Sequence, residues 1–415
     1  MVKIPAFEVE QWMDAYENTP GVLNIAETCA SSISISQLGE FHSNSAVAAA
    51  AILDFSRPMT YGAIRGSAEL RQNIAALYSE DEDDADADAD ADALTPDEVL
   101  VTQGAIAANH LVFYALVGPG DHVVCVFPTY QQLYTIPATL GAEVSLWKLK
   151  AEDGYVPDTD ELEGLLRSNT KMIVLNNPNN PTGATTPKAV LARIMAIARE
   201  RDIVVLSDEV YRPLFHGAGA AAAAPPPSAL LLSLGYAGVV VTSSMSKAWA
   251  LAGIRVGWAA TRDAGIMARL AAARDYTTIS VSQLDDQVAR FALGADVRRR
   301  LLGRNLALAR TNLALLEAFV RDHAAVCAWV KPTAGTTAFV RFSRRGDDDS
   351  GRPVDDEAFC RDVLAKTKVM FVPGGRCFGH GRDFRGYVRI GYVGDTEVLR
   401  SALANLGAYV EEHLN

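Results

Sequence analysis

Three polar residues in this chain stand where chemistry can be done. Lys247 closes Ser243-Ser-Met-Ser-Lys247, just past the apolar β-branched run Val239–Thr242, with Arg255 eight positions on. Asp208 lies in Ser207-Asp-Glu-Val-Tyr211, at the end of another apolar run that starts at Ile203. Asn180 belongs to Asn176-Asn-Pro-Asn-Asn-Pro-Thr-Gly183, where two Asn-Pro steps and a glycine specify a rigid turn after a third such run. A lysine amine can bond a carbonyl or act as a base, and a carboxylate can hold a cationic nitrogen. Each also has a plainer reading. Lys247 alone could be a solvated turn residue, and Asp208 could be the N-cap of a following helix, although Pro213 shortens any helix there.

Other motifs add donors and aromatics. Thr102-Gln-Gly-Ala-Ile106 follows a strand and opens a helix, so Gly104, Ala105 and Ile106 offer backbone N–H groups to an anion, and Gly104 allows close approach. Taken alone, that pattern is a common structural turn. Tyr130, in Phe127-Pro-Thr-Tyr130, could stack on a flat ring or simply pack in the core. Tyr211, three positions past Asp208, could donate to a phenolic oxygen, and Asp208 facing a pyridinium nitrogen would keep that nitrogen protonated.

The elements that position these groups alternate. Candidate strands are 99–102, 123–127, 143–147, 172–176, 203–207, 239–243 and 256–260, with helical runs such as 188–200 between them. This order predicts an α/β fold, a mainly parallel seven-stranded sheet between helices, with ligands at the carboxyl ends of the strands. A helix is expected over 8–16, another with Leu70, Ile74 and Leu77 on one face, and a long one over 298–323. The remainder, with strands near 335–342 and 387–391 and a helix near 357–366, implies a smaller α/β domain. The expected division is an N-terminal segment (1–45) joining that small domain, a large domain (46–295) and the small C-terminal domain (296–415).

Composition narrows the partners. With 49% apolar and 21% charged residues, the 415-residue chain is that of a soluble globular protein with a substantial core. The net charge is −12, but nine carboxylates crowd between Glu80 and Asp92, and the rest of the chain carries about −3. The stretch 80–94, whose acidic part Glu80–Asp92 has no apolar payload to bury, is expected to be a disordered surface insertion, and Gly217–Pro227 a similar loop expansion. No basic stripe exists to neutralise phosphates, so a nucleic-acid partner is not expected. Five scattered cysteines without a Cys-x-x-Cys pair, and seven histidines without a His-x-x-x-His pair, point to neither a disulfide framework nor a metal. No leader or 18-residue apolar run is evident, so no membrane association and a cytoplasmic location are expected.

Taken together, Tyr61-Gly…Gly66, Gly104-Ala, Asn180-Pro-Thr-Gly183, Asp208…Tyr211, Ser244-x-Ser246-Lys247…Arg255 and Arg389 resemble the class I/II aminotransferases. These are fold-type I enzymes that use pyridoxal 5′-phosphate (PLP), and the likeness covers nearly the whole chain in the family's order. It implies that Lys247 bonds covalently to PLP. It implies that Ser244, Ser246, Arg255 and the Gly104–Ile106 turn hold the phosphate, with Tyr61 supplied by the other subunit of a homodimer that shares its active sites. Tyr130 then stacks on the ring, Asn180 and Tyr211 contact its phenolic oxygen, and Asp208 pairs with its nitrogen. Arg389, in Tyr387-Val-Arg-Ile-Gly391, is similar to the arginine that grips the α-carboxylate of an amino acid substrate, with Asn180 beside it; a planar fork suits that task. Arg255 and a cationic ring are expected to lower the pKa of Lys247.

Two departures bear on substrate. Cys29-Ala-Ser-Ser32 occupies the region where many members carry a Gly-x-Pro type loop. Tyr130-Gln-Gln-Leu-Tyr134, Arg274-Asp-Tyr-Thr-Thr278, Thr336-Thr-Ala-Phe339 and Pro373-Gly-Gly-Arg-Cys-Phe-Gly379 are similar to the capreomycidine-synthase-like branch, whose members eliminate a β-substituent and cyclise. By that likeness, Arg274 to Thr278 falls near the dimer-facing wall of the substrate pocket. An aminotransferase acting on an L-amino acid is the leading expectation and a PLP-dependent lyase or cyclase the alternative.

Overall fold

The computed structural model describes residues 4–44, 52–78, 93–217, 225–232, 235–345 and 351–414. The acidic tract through Asp92 and the alanine-rich stretch 218–224, both expected to be loop insertions, lie outside the described residues.

Strands are numbered in chain order. The first is the short β1 (Leu23–Asn24); β2 (Val99–Thr102), β3 (His122–Phe127), β4 (Glu143–Lys148), β5 (Thr170–Asn176), β6 (Val204–Asp208), β7 (Val239–Ser244) and β8 (Gly257–Ala260) form one sheet. Its order is β2-β8-β7-β6-β5-β3-β4. Only β8 runs against its neighbours β2 and β7; the other pairings are parallel. The interior strands β3, β5, β6 and β7 are almost continuously buried, as expected where helices cover both faces. Register decides which strand ends meet. Asn176 pairs with Asp208, and Asp208 with Thr242, so the polar ends of β5, β6 and β7 lie side by side at one edge of the sheet.

The second sheet is antiparallel. It contains β9 (Cys327–Trp329), β10 (Thr337–Arg344), β11 (Arg352–Pro353), β13 (Val372–Pro373) and β14 (Tyr387–Gly391), while β1 pairs in parallel with β12 (Val369–Met370). The N-terminal helix Glu8–Tyr16 buries Val9, Trp12 and Met13, and the Trp12 indole N–H donates to the Phe371 carbonyl (3.0 Å). The chain's beginning is thereby fastened to its last quarter.

Two local expectations shift. Leu77 does not continue the face of Leu70 and Ile74: helix Ala68–Ala75 tightens into a 3₁₀ turn at Ala76–Tyr78. Tyr78 takes the core position instead, its hydroxyl accepting from Trp258 Nε1 (2.8 Å). The long helix runs Ala295–Asp322 and buries two asparagines, which bond backbone elsewhere; Asn305 donates to the Ala248 carbonyl (2.8 Å), next to Lys247.

Candidate active site

At the carboxyl edge of the large sheet lies a cavity of about 630 Å³. It is lined by Ala105, Ile106, Tyr130, Asn180, Asp208, Tyr211, Ser244, Ser246, Lys247, Arg255 and Arg389, among others. Gly104 lies just behind it, beneath Arg255. Of the expected site residues Tyr61 alone stands apart: it is 82% exposed and does not line the cavity.

Asp208 ends β6 with its carboxylate buried. No helix N-terminus follows it. Its Oδ1 accepts from the Val210 N–H (3.1 Å) in a turn, which removes the capping alternative. Its Oδ2 accepts from Asn109 Nδ2 (2.8 Å), and Asn109 Oδ1 in turn accepts from Thr242 Oγ1 (2.5 Å). Burial pushes the Asp208 carboxyl up to about 6, against those hydrogen bonds. Such a carboxylate is held for a cationic partner.

Lys247 follows β7 and reaches across the cavity to the N-terminal segment. Its Nζ donates to Thr28 Oγ1 (2.5 Å), with Cys29 Sγ at 3.6 Å and Glu27 Oε1 at 3.9 Å. Burial pushes this ammonium down, but Cys29, Tyr211 and Glu27 outweigh it, and the group is held above the usual lysine range. The expectation of a lowered lysine is therefore reversed in this structure, and the cation that opposes the rise is Arg389 rather than Arg255. Burial raises the Glu27 carboxyl, yet Lys247 and the hydrogen bonds from Cys29 and Thr28 hold it below the usual carboxylate range. Burial pushes up the Tyr130 and Tyr211 phenols and takes the Cys29 thiol to about 11.

Donors suited to a phosphate gather at one end. Helix Gly104–Leu116 begins without a side-chain cap, leaving its first N–H groups open, and Gly104 has φ +77°. A Cβ on Gly104 would come within 2.8 Å of Arg255 Nη2, so glycine is what lets the guanidinium lie over the helix start. Arg255 Nη1 also donates to Ser246 Oγ (3.4 Å), and Ser244 Oγ accepts from the Ser246 N–H (3.2 Å).

Arg389 on β14 is 3% exposed, not a surface strand arginine. Its Nη1 donates to Asn180 Oδ1 (3.4 Å) and its Nη2 to the Ala26 carbonyl (2.9 Å), while Nε has no acceptor among the described residues. Asn180 is itself fixed by its N–H donating to Asn176 Oδ1 (2.8 Å).

Several lining residues escape a reading of motifs. Asn109 carries no local signal. Glu27 and Thr28 precede the Cys29–Ser32 stretch by one or two positions. Glu10, Asp14 and Glu17 also line the cavity, and their i, i+4, i+7 spacing along helix Glu8–Tyr16 and its cap is a legible stripe. Arg274, expected near the substrate wall, does not line this cavity; it lies behind the helix that starts at Gly104.

A family model for aminotransferase class I and II matches residues 35–406. The chain belongs to this family. Class I and II aminotransferases depend on PLP, and the residues present fit that group: open N–H groups with Arg255 for a phosphate, and a buried carboxylate for a ring nitrogen. Among curated relatives, capreomycidine synthase of Streptomyces vinaceus is 32% identical over 76% of this chain and 75% of its own. Aspartate aminotransferase of Thermotoga maritima is 28% identical over 85% and 82%. A PLP-dependent aminotransferase structure from Streptococcus suis superposes with a TM-score of 0.85 at 34% identity, covering 100% of this chain and 99% of that one. The PLP-dependent cyclase OrfR gives 0.81 at 27%, covering 99% and 98%. The fold is thus that of fold-type I PLP enzymes. Among the described residues, no helix is long and apolar enough to cross a membrane.

Proposed function

We propose that this protein removes the α-proton of an L-amino acid and transfers its amino group, as a PLP-dependent aminotransferase with Lys247 as the covalent anchor. The observation that carries the reading is Arg389: a guanidinium 3% exposed with an unsatisfied Nε, sharing one cavity with Lys247 and Asp208. A buried fork with a free donor asks for a planar oxyanion, and an α-carboxylate is one.

In this reading Ser244, Ser246, Arg255 and the N–H groups of Gly104, Ala105 and Ile106 hold the phosphate. Asp208 holds the ring nitrogen, Tyr130 covers the ring, and Asn180 and Tyr211 reach the phenolic oxygen. PLP, when bound, supplies an electron-withdrawing ring that accepts the electron pair left when the Cα–H bond breaks. Lys247 Nζ takes the proton, and the ammonium so formed is steadied by Thr28 Oγ1 and the Glu27 carboxylate. Asn109, anchored by Thr242, keeps Asp208 aimed. Tyr61, exposed with Phe55, Met59 and Ile64, fits a role at the site of a second copy.

A second reading, elimination of a β-substituent followed by cyclisation, is favoured by one feature. Glu10, Asp14 and Glu17 face the cavity, and no lysine or arginine pairs with them among the described residues. A cationic side chain would complement that face, and the likeness to capreomycidine synthase points the same way. Mass spectrometry of products and cofactor, after incubation of holoenzyme with an amino-acid panel, separates the two. Transfer yields a keto acid and the cofactor in its amino form. Cyclisation yields a ring product from a β-substituted, arginine-like amino acid, with the cofactor unchanged. Neither product from any member of the panel refutes both.

A further inference from the structure

The Arg274-Asp-Tyr-Thr-Thr278 motif has no part in the cavity above, yet it builds one of its own. Arg274 lies in the last turn of helix Ala264–Asp275 and is 1% exposed. Its Nη2 donates to the Ile279 carbonyl, while Nε and Nη1 meet no acceptor among the described residues. The chain winds tightly around it: the N–H groups of Thr277 and Thr278 both donate to the Arg274 carbonyl (2.9 and 3.0 Å). A separate hollow of about 410 Å³ opens there, lined by Arg274, the two threonines, Gln103 and His110.

A buried guanidinium left with two idle nitrogens is costly, because donors stripped of water regain nothing unless an acceptor replaces it. Asp275 offsets part of the charge from outside but makes no hydrogen bond to the side chain among the described residues, and Arg65 adds positive charge nearby. Burial, with Arg65, holds the guanidinium below the usual arginine range, which states the same deficit as a titration.

We propose that this hollow is a second anion site, taking a small oxyanion (a phosphate or a carboxylate) on Arg274 with the Thr278 hydroxyl; the Thr277 hydroxyl already donates to the Arg274 carbonyl (3.1 Å). It stands back to back with the phosphate end of the main cavity, since Ile106 lines both. Gln132, also in its wall, donates to the Ile106 carbonyl (2.6 Å) and accepts from Asn109 (3.4 Å), the residue that holds Asp208. The oxyanion comes either from solution or from a carboxylate side chain of a second copy of the chain.

The test uses PLP-loaded protein, whose visible absorbance reports an intact main site. Calorimetric titration with inorganic phosphate is expected to saturate for the wild type and to weaken at least tenfold in Arg274→Gln. If a second copy supplies the carboxylate, phosphate does not bind, and sedimentation equilibrium in phosphate-free buffer shows Arg274→Gln raising the dimer dissociation constant at least tenfold. Phosphate binding that is unchanged in the variant overturns the site. So does a wild type that binds no phosphate together with a variant that assembles normally. Should Arg274→Gln fail to fold, Thr278→Val at the hollow's rim takes its place in both measurements, with the same readings.

Discussion

The two walls of the cavity are made in different ways. One is the edge of the large sheet, where Asn176, Asp208 and Thr242 sit side by side by strand register and Ser244, Ser246 and Lys247 follow from β7. Every group on it is positioned by its own strand and the next turn. The other wall is assembled from Glu10, Asp14 and Glu17 on the N-terminal helix, Glu27 to Cys29 in the following stretch, and Arg389 from β14. Arg389 is hundreds of positions from the others, and they meet because β1 pairs with β12, Trp12 docks on Phe371 and the segment after β1 bonds to β14. The sheet edge carries the groups suited to a cofactor common to a whole family. The docked wall carries those that would meet a substrate in the proposed function.

If that contrast holds, damage to the sheet edge should stop chemistry, and damage to the docked wall should redirect or weaken binding. The largest effect is expected from Lys247→Ala, which should abolish the visible absorbance of lysine-bound cofactor. A variant that kept that band would end the assignment. Asp208→Ala is next: PLP should remain bound while α-proton removal, read as exchange of the substrate Cα proton in deuterated water, slows on the order of a thousandfold, the scale of a broken buried charge pair. Exchange near the wild-type rate would refute that role.

The same carboxylate predicts a pH effect. Its pKa in the folded, cofactor-free protein is about 6, above an ordinary aspartate. Its own contribution to stability is thus present at low pH and is lost as pH rises through 6, where the buried group ionises. Affinity for PLP should rise over that same interval. Asp208→Asn should remove this component and leave only that of the cofactor's phosphate, and an unchanged pH profile in the variant would exclude the carboxylate as its source.

On the docked wall, Arg389→Gln should raise KM on the order of a hundredfold through loss of charged hydrogen bonds to the α-carboxylate. A fall in kcat at constant KM would instead assign Arg389 to the reaction step. The smallest effect is expected from Glu10→Gln combined with Asp14→Asn. These carboxylates are exposed, and such charges contribute little each, so a few-fold loss of preference for basic over neutral amino acids is expected. Identical preference would leave the acidic face without a role in selection.

Much of the sheet edge is legible from residues alone. Apolar β-branched runs locate the strands to within a residue or two, and the polar residue after each run marks a carboxyl end; Asp208, Asn180 and Lys247 follow from that rule. Asn109 does not, because it sits midway along an apolar helix and gains meaning only when Thr242 and Asp208 arrive from two other strands. The lysine's electrostatics were likewise out of reach. Arg255 is near Lys247 in sequence, but Glu27, Cys29 and Arg389 are near it in space, and charge acts through space.

Strand and helix order and the family rest on local pattern, and the residues alone sufficed for them; the lysine, carboxylate and phosphate-end donors proposed from the same pattern line one cavity. Packing was needed to establish that Arg389 is buried with a free donor, that an acidic helix face lines the cavity, and that Arg274 opens a separate hollow. The physical reason is the same in each case. Burial and the pairing of charges belong to the packed chain, where segments far apart in sequence exclude water from one another, and no single segment carries that information.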